Sequence, residues 1–228
     1  MIKQVLFNGK VEVAISEIND GNMRFFGNGD EAEIIKNQKN VGNILELTSE
    51  KIARIKTIYD DRKVFTDYHE ITNKNLPKYT ILNPEEQIPI SDGLVTKCPD
   101  VGILLPLADC LGIVVFDEEH SAVGLLHSGR QNIEQYGPKK FIEYLAKIFN
   151  SNPKKLKIYF SPYALNYRIY KLDNMLLSEA AKTQLAKAGI LLENIIDYKA
   201  NTVDSINLPS YSSGDKTQRF AIVVKQTQ

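Results

Sequence analysis

Ligand-capable side chains are scarce in this chain, with two cysteines and three histidines among 228 residues. Two cysteines cannot build a disulfide framework, so the thiols are expected to be reduced, as in a cytoplasmic protein. An excess of one charge is also lacking: 28 Lys and Arg face 28 Asp and Glu. That balance leaves no electrostatic footprint for nucleic acid or for an anionic membrane. Basic residues do gather between Lys139 and Lys157, where they read as a helix surface and a loop. Apolar runs are short, none approaching the roughly 20 residues that cross a bilayer as a helix. The opening Met1-Ile2-Lys3-Gln4 leads into a strand pattern and carries no secretory apolar region. The expectation is a cytoplasmic globular protein with neither a nucleic-acid nor a membrane partner. Its 43% apolar and 25% charged residues are ordinary for such a chain.

The organisation reads as one α/β domain over residues 1–228, a mixed β-sheet core covered by helices on both faces. Asn8-Gly9 between Gln4–Phe7 and Val11–Ile15 predicts a type I′ hairpin. Asp30 is a plausible N-cap for a helix from Glu31 to about Leu45, with Ile34, Ile35, Val41 and Ile44 on its apolar side. Thr48 or Ser49 is placed to cap a second helix through Ile58. A strand pattern at Lys63–Phe65 delivers His69, and the proline-bearing stretch 73–89 reads as a loop or flap. Gly93–Thr96, Val101–Leu107, Gly112–Phe116 and Ala122–Leu126 are apolar rather than alternating, which implies strands buried on both faces. Helical spacing appears over Phe141–Phe149 and Met175–Ala188. Further strands are predicted at Leu156–Phe160 and Arg219–Lys225, with Ile190–Tyr198 returning towards the sheet.

Against that background Cys110 and His127 stand out. Each ends or follows an apolar strand pattern and precedes a turn. Strand ends can aim side chains at one point, and thiolate and imidazole are favoured zinc ligands. Cys110 reads equally as a small core hydrophobe, although the adjacent Asp109 needs a partner if it is buried. His127 is followed by Ser128-Gly129-Arg130. Such a turn into a helix offers backbone N–H groups to an anion, and Arg130 adds a forked cation. One hairpin separates Cys110 from His127, so they can lie side by side. His69 is remote in sequence; its neighbours Asp67 and Glu70 are either acceptors for its imidazole or part of a solvated turn. His120, in an exposed turn, and Cys98, before Pro99, are set aside. A cysteine nucleophile with His127 as its base is a competing reading of the same pair.

Asp92-Gly93-Leu94-Val95-Thr96, then Leu107-Ala108-Asp109-Cys110, then Gly124-Leu125-Leu126-His127-Ser128-Gly129 resemble the laccase-domain family, also called the multicopper polyphenol oxidase or peptidoglycan-editing-factor family. Asp20-Gly21-Asn22-Met23, Gly29-Asp30 and the helix with Asn37 look like its N-terminal segment. Tyr68-His69 falls at its Gln-Val-His, Phe160-Ser161-Pro162 near its Gly-Pro-Ala, and Ser210-Tyr211 with Gln218-Arg219 at its closing pieces. The resemblance implies a zinc ion held by His69, Cys110 and His127. It also implies purine nucleoside phosphorylase activity, including on methylthioadenosine, and adenosine deamination, with a purine nucleoside and phosphate as substrates. Carried over to this chain, Asp109 and Arg130 are candidate catalytic residues. Ser128, Gly129, Arg130, Asn37 and Arg219 are candidate substrate-binding residues, and Asp67 is a weaker candidate for proton transfer. Copper-oxidase chemistry needs more His ligands than three. The chain departs from the family pattern at Asp67, at Arg130-Gln131-Asn132, at Asn166-Tyr167 and Asn201-Thr202 where cysteines are usual, and at Ser212-Ser213. A zinc-binding relative without chemistry is a further reading of those departures.

Overall fold

Two β-sheets packed face to face form the centre of the computed structural model, which describes residues 1–25, 30–59 and 62–227. In chain order the strands are β1 (Ile2–Leu6), β2 (Val11–Ile15), β3 (Ile52–Arg54), β4 (Tyr68–Ile71), β5 (Gly93–Thr96), β6 (Gly102–Leu107), β7 (Leu111–Asp117), β8 (Ala122–Ser128), β9 (Lys157–Phe160), β10 (Arg168–Ile169), β11 (Met175–Leu176), β12 (Ile195–Asp197) and β13 (Phe220–Gln226). The helices are α1 (Glu31–Asn43), α2 (Arg130–Glu134), α3 (Gly137–Phe149) and α4 (Leu177–Lys187). One sheet runs β1-β2-β13-β6-β3 and the other β12-β9-β7-β8-β5-β4; β10 and β11 pair separately. Both sheets are mixed, with β3–β6, β4–β5 and β9–β12 parallel and the remaining pairs antiparallel.

The continuous apolar runs follow from this layering. Successive side chains of a strand point to opposite faces. In β7, Val114 and Phe116 enter the core between the sheets, while Ile113 and Val115 pack on the helical side with Phe141, Ile142 and Leu185. In β13, Phe220, Ile222 and Val224 face the other sheet, and Ala221 and Val223 meet Val41 and Leu45 in and after α1. Helices therefore cover both outer faces, as expected, although the core is two sheets rather than one.

Asp30 caps α1 through its side chain, accepting from the N–H groups of Ala32 and Glu33. The first hairpin forms, but its turn lies one residue earlier than expected. Gly9 N–H donates to the Leu6 carbonyl at 3.1 Å, and Phe7 and Asn8 are the central residues with positive φ. The helix expected over Thr48–Ile58 is instead a single 3-10 turn, Ser49–Lys51, followed by β3. Ile52 and Ala53 pair with β6, and pleated pairing favours β-branched residues over a second helix there. The strand expected at Lys63–Phe65 is irregular chain, and ordered pairing begins at Tyr68.

Candidate functional site

A cavity of about 570 Å³ opens where the inter-sheet core ends, its walls including Arg24, Tyr59, Asp109, Cys110, His127 and Gly129. The β7–β8 hairpin builds its floor. Antiparallel pairing sets Leu111 opposite Ser128 and Gly112 opposite His127, so one further step places Cys110 beside Gly129. His127 follows Val123 and Leu125 on the odd-numbered face of β8, the face turned to the other sheet. The turn before β7 carries Asp109 at φ 71°, a conformation uncommon outside glycine. Two contacts hold it there: Thr202 Oγ1 donates to Oδ1 at 2.6 Å, and the Ser212 N–H donates to Oδ2 at 2.6 Å. Asp109 thus acts as a clamp between the Cys110 turn and the C-terminal segment.

Gly129 shows how close Cys110 and His127 lie. A Cβ there would stand 2.9 Å from Cys110 Sγ, 3.1 Å from His127 Cε1 and 3.4 Å from His127 Nε2. The two side chains thus share a notch that only glycine leaves open. Tyr59 Oη is hydrogen-bonded to His127 Nε2 at 3.0 Å, and the two rings meet edge-on. Burial pushes the Cys110 thiol up to about 11, against the hydrogen bond from Tyr59. Burial, reinforced by Arg24 and Arg62, drives His127 down to about 3. The pair is therefore a neutral thiol beside a neutral imidazole. His127 Nδ1 is buried with no hydrogen-bond partner among the described residues.

His69 is not brought against this pair. It lies in β4 opposite Leu94 of β5, which in turn faces Leu125 of β8. His69 and His127 consequently share one face of the sheet. They are separated by two strand spacings, roughly 9–10 Å, and by about 7 Å along the strands. Its Nδ1 bonds Tyr79 Oη at 2.7 Å rather than Asp67 or Glu70, which leaves Nε2 as the nitrogen for a ligand. Among the described residues no three His, Cys, Asp or Glu side chains are gathered as a metal centre. The donor chemistry nonetheless fits a metal: a thiol and an imidazole nitrogen border one notch, with a second imidazole on the same sheet face.

Of the other expected residues, Gly129, Arg130 and Arg219 line the cavity with Asp109. Arg130 sits at its rim and reaches Glu134 at 3.5 Å. Ser128 is buried, and its hydroxyl donates to Asn132, outside the cavity lining. Asn37 likewise lies outside the cavity lining and donates to the Asn22 carbonyl. Asp67 pairs with Arg62, which also makes two hydrogen bonds to buried Asp92.

The cavity also takes in Arg24 and Tyr59, which the sequence did not single out, and Tyr167, Tyr211 and Ser212, which entered only through the family resemblance and not as site residues. Arg24 is set by a relay from within. Buried Arg54 donates to Gln38, and Gln38 donates to the Met23 carbonyl at 2.6 Å. A basic residue next to Asn22-Met23, in a segment already matched to a known pattern, was the signal available.

The family model described as multi-copper polyphenol oxidoreductase laccase matches residues 7–176. The chain belongs to this family. A protein of Borreliella burgdorferi named purine nucleoside phosphorylase is 28% identical over 131 residues, 54% of this chain. That match takes in 56% of the relative, so the chain spans about half the length of the curated relative it matches. The fold is shared with the hypothetical protein YfiH of Bacillus licheniformis, at 18% identity and a TM-score of 0.82, covering 94% of this chain and 92% of that one. YlmD of Geobacillus stearothermophilus shares it at 15% identity and a TM-score of 0.78, covering 96% and 92%. Some of the departures from the laccase-family pattern gather at the cavity. Tyr167 and Ser212 wall the cavity and Thr202 holds Asp109.

Proposed function

We propose that this laccase-family chain is a zinc-dependent purine nucleoside phosphorylase, with Cys110, His127 and His69 as the metal-holding residues. The observation that carries the reading is a cationic cavity ending on a thiol–imidazole pair. Arg24 and Arg219 wall it, and their charges act on Cys110. Similarity to a protein named purine nucleoside phosphorylase supports the choice of substrate. Zinc rather than a copper cluster follows from the ligand supply, since the chain has three histidines.

When bound, zinc would supply Lewis acidity at the floor of the cavity. The chain's own groups would do the rest. Arg24 and Arg219 would hold phosphate, and Arg130 would close the rim by charge. Tyr167 and Tyr211 offer aromatic walls for a purine. A phosphate oxygen then bonds to C1′ of the ribose while the glycosidic bond breaks. The purine leaves with the bonding electrons and takes up a proton, giving free base and ribose 1-phosphate. Asp109 has both carboxylate oxygens engaged, so its role is to position Cys110 rather than to move a proton.

The competing cysteine-hydrolase reading needs a thiolate activated by its histidine. Here the thiol is pushed up, the imidazole is pushed down and Tyr59 occupies His127 Nε2. The arrangement disfavours an activated nucleophile.

The test is incubation of the purified, zinc-loaded protein with adenosine and phosphate, followed by chromatography. Adenine and ribose 1-phosphate are expected. Inosine in place of adenine would reassign the chain to deamination. Unchanged adenosine at high protein concentration would leave only the binding reading.

A further inference from the structure

We propose that the Tyr59 phenol is a gate on the Cys110–His127 pair, and that a divalent cation reaches the pair only after the phenol has left His127 Nε2. The gate is argued from geometry; the identity of the cation as ligand rests on the function proposed above.

Three observations carry it. First, the phenol occupies the nitrogen that faces Cys110. Tyr59 Oη lies 3.0 Å from His127 Nε2, and it is also bonded to the Cys110 thiol. A cation joining thiol and imidazole must take the positions this hydroxyl fills. Second, the cradle is otherwise kept clear. Gly129 leaves a notch that a single Cβ would fill from Cys110 Sγ to His127 Nε2. Third, Tyr59 is built to leave. The residue is about one-third exposed, at 36%, while its hydroxyl reaches inward to buried His127. Its backbone belongs to no strand or helix, and its ring rests on Phe65 and Arg24 rather than inside the sheet core. Swinging the ring outwards breaks no backbone ladder.

The closed state is also imperfect. With Nε2 engaged by Tyr59, His127 Nδ1 stays buried and unpartnered among the described residues. Among the described residues no second hydrogen bond fixes the imidazole, so it is poised to exchange one Nε2 partner for another.

The test uses metal-free protein carrying Cys98→Ser, so that Cys110 is the one thiol, with Tyr59, Tyr59→Phe and Tyr59→Ala compared. Iodoacetamide should alkylate Cys110 faster in Tyr59→Ala by about an order of magnitude, with Tyr59→Phe in between, because access limits a covered thiol. Cobalt(II) titration, read by the thiolate-to-cobalt absorption band, should show tighter binding in Tyr59→Phe, where the competing hydroxyl is gone and the ring is kept. Equal alkylation rates in all three proteins would overturn the gate. Weaker cobalt binding in Tyr59→Phe would overturn it too, making the phenol a support or a ligand. Faster alkylation with no cobalt band in any variant would overturn the cation as the ligand and, with it, the zinc-dependent reading, while the gate on the thiol stands.

Discussion

Thr202 donates its hydroxyl hydrogen to Oδ1 of Asp109 at 2.6 Å, across 93 residues of chain. The bond joins the C-terminal segment to the turn that carries Cys110. It falls at one of the positions where the chain departs from its family, Asn201-Thr202. A residue that looks like the loss of a family feature is thus the anchor of the candidate site. The second carboxylate oxygen takes the N–H of Ser212, which is itself part of another departure.

Asp109→Ala should break this clamp. It removes both acceptors and leaves the fully buried Thr202 hydroxyl unpaired, at about 1–3 kcal/mol. Urea denaturation should show a loss of that size, and zinc affinity should fall with it. A stability within experimental error of the parent would contradict the clamp.

Gly129→Ala should act on the notch and not on the backbone. Gly129 has φ −92°, which alanine accepts, but its Cβ would stand 2.9 Å from Cys110 Sγ. The expected outcome is a near-parental melting temperature with zinc content strongly reduced. Full zinc retention by elemental analysis would show that the notch is not where the metal sits.

Arg62→Ala should be among the most destabilising substitutions near the site. Asp92 is fully buried and takes two hydrogen bonds from the Arg62 guanidinium; burial already raises its carboxyl to about 6. Removing one partner of a buried pair typically costs about 3–5 kcal/mol. Adding Asp92→Asn to Arg62→Ala should restore part of the loss in a denaturation series. No restoration would mean that the pair's charge is not the cause.

The two-faced strands were legible because burial on both sides leaves continuous apolar runs, as in Gly112–Phe116. The nearness of Cys110 and His127 was legible because a single hairpin fixes their register. Asp30 was legible as a cap because its function is local. Sheet membership was not, since β13 reaches between β2 and β6 from the far end of the chain. β3 was misread because three residues are too few to show a period, and long-range pairing with β6 decides their state. Tyr59 and Arg24 left no periodic pattern because they lie in irregular segments, and Arg24 was marked only by its place beside Asn22-Met23. Their places in the cavity are set by Arg54, Gln38 and His127, none of them near in sequence.

Arg24→Ala and Arg219→Ala should each weaken phosphate use without removing zinc. Both border the cavity and act electrostatically on Cys110. Losing a charge-assisted contact of about 1.5–3 kcal/mol would raise the KM for phosphate by roughly ten- to a hundredfold. Arg130→Ala, at the rim, should have a smaller effect. Steady-state kinetics at varied phosphate checks the order; a larger effect at Arg130 would move the anion site to the rim.

The most direct test of a metal centre at Cys110 is to measure zinc stoichiometry and phosphate-dependent release of adenine on the same preparations of the parent protein and Cys110→Ala. Bound zinc and base release are expected in the parent, and the loss of both together in the variant. Full base release by a zinc-free Cys110→Ala protein would contradict it.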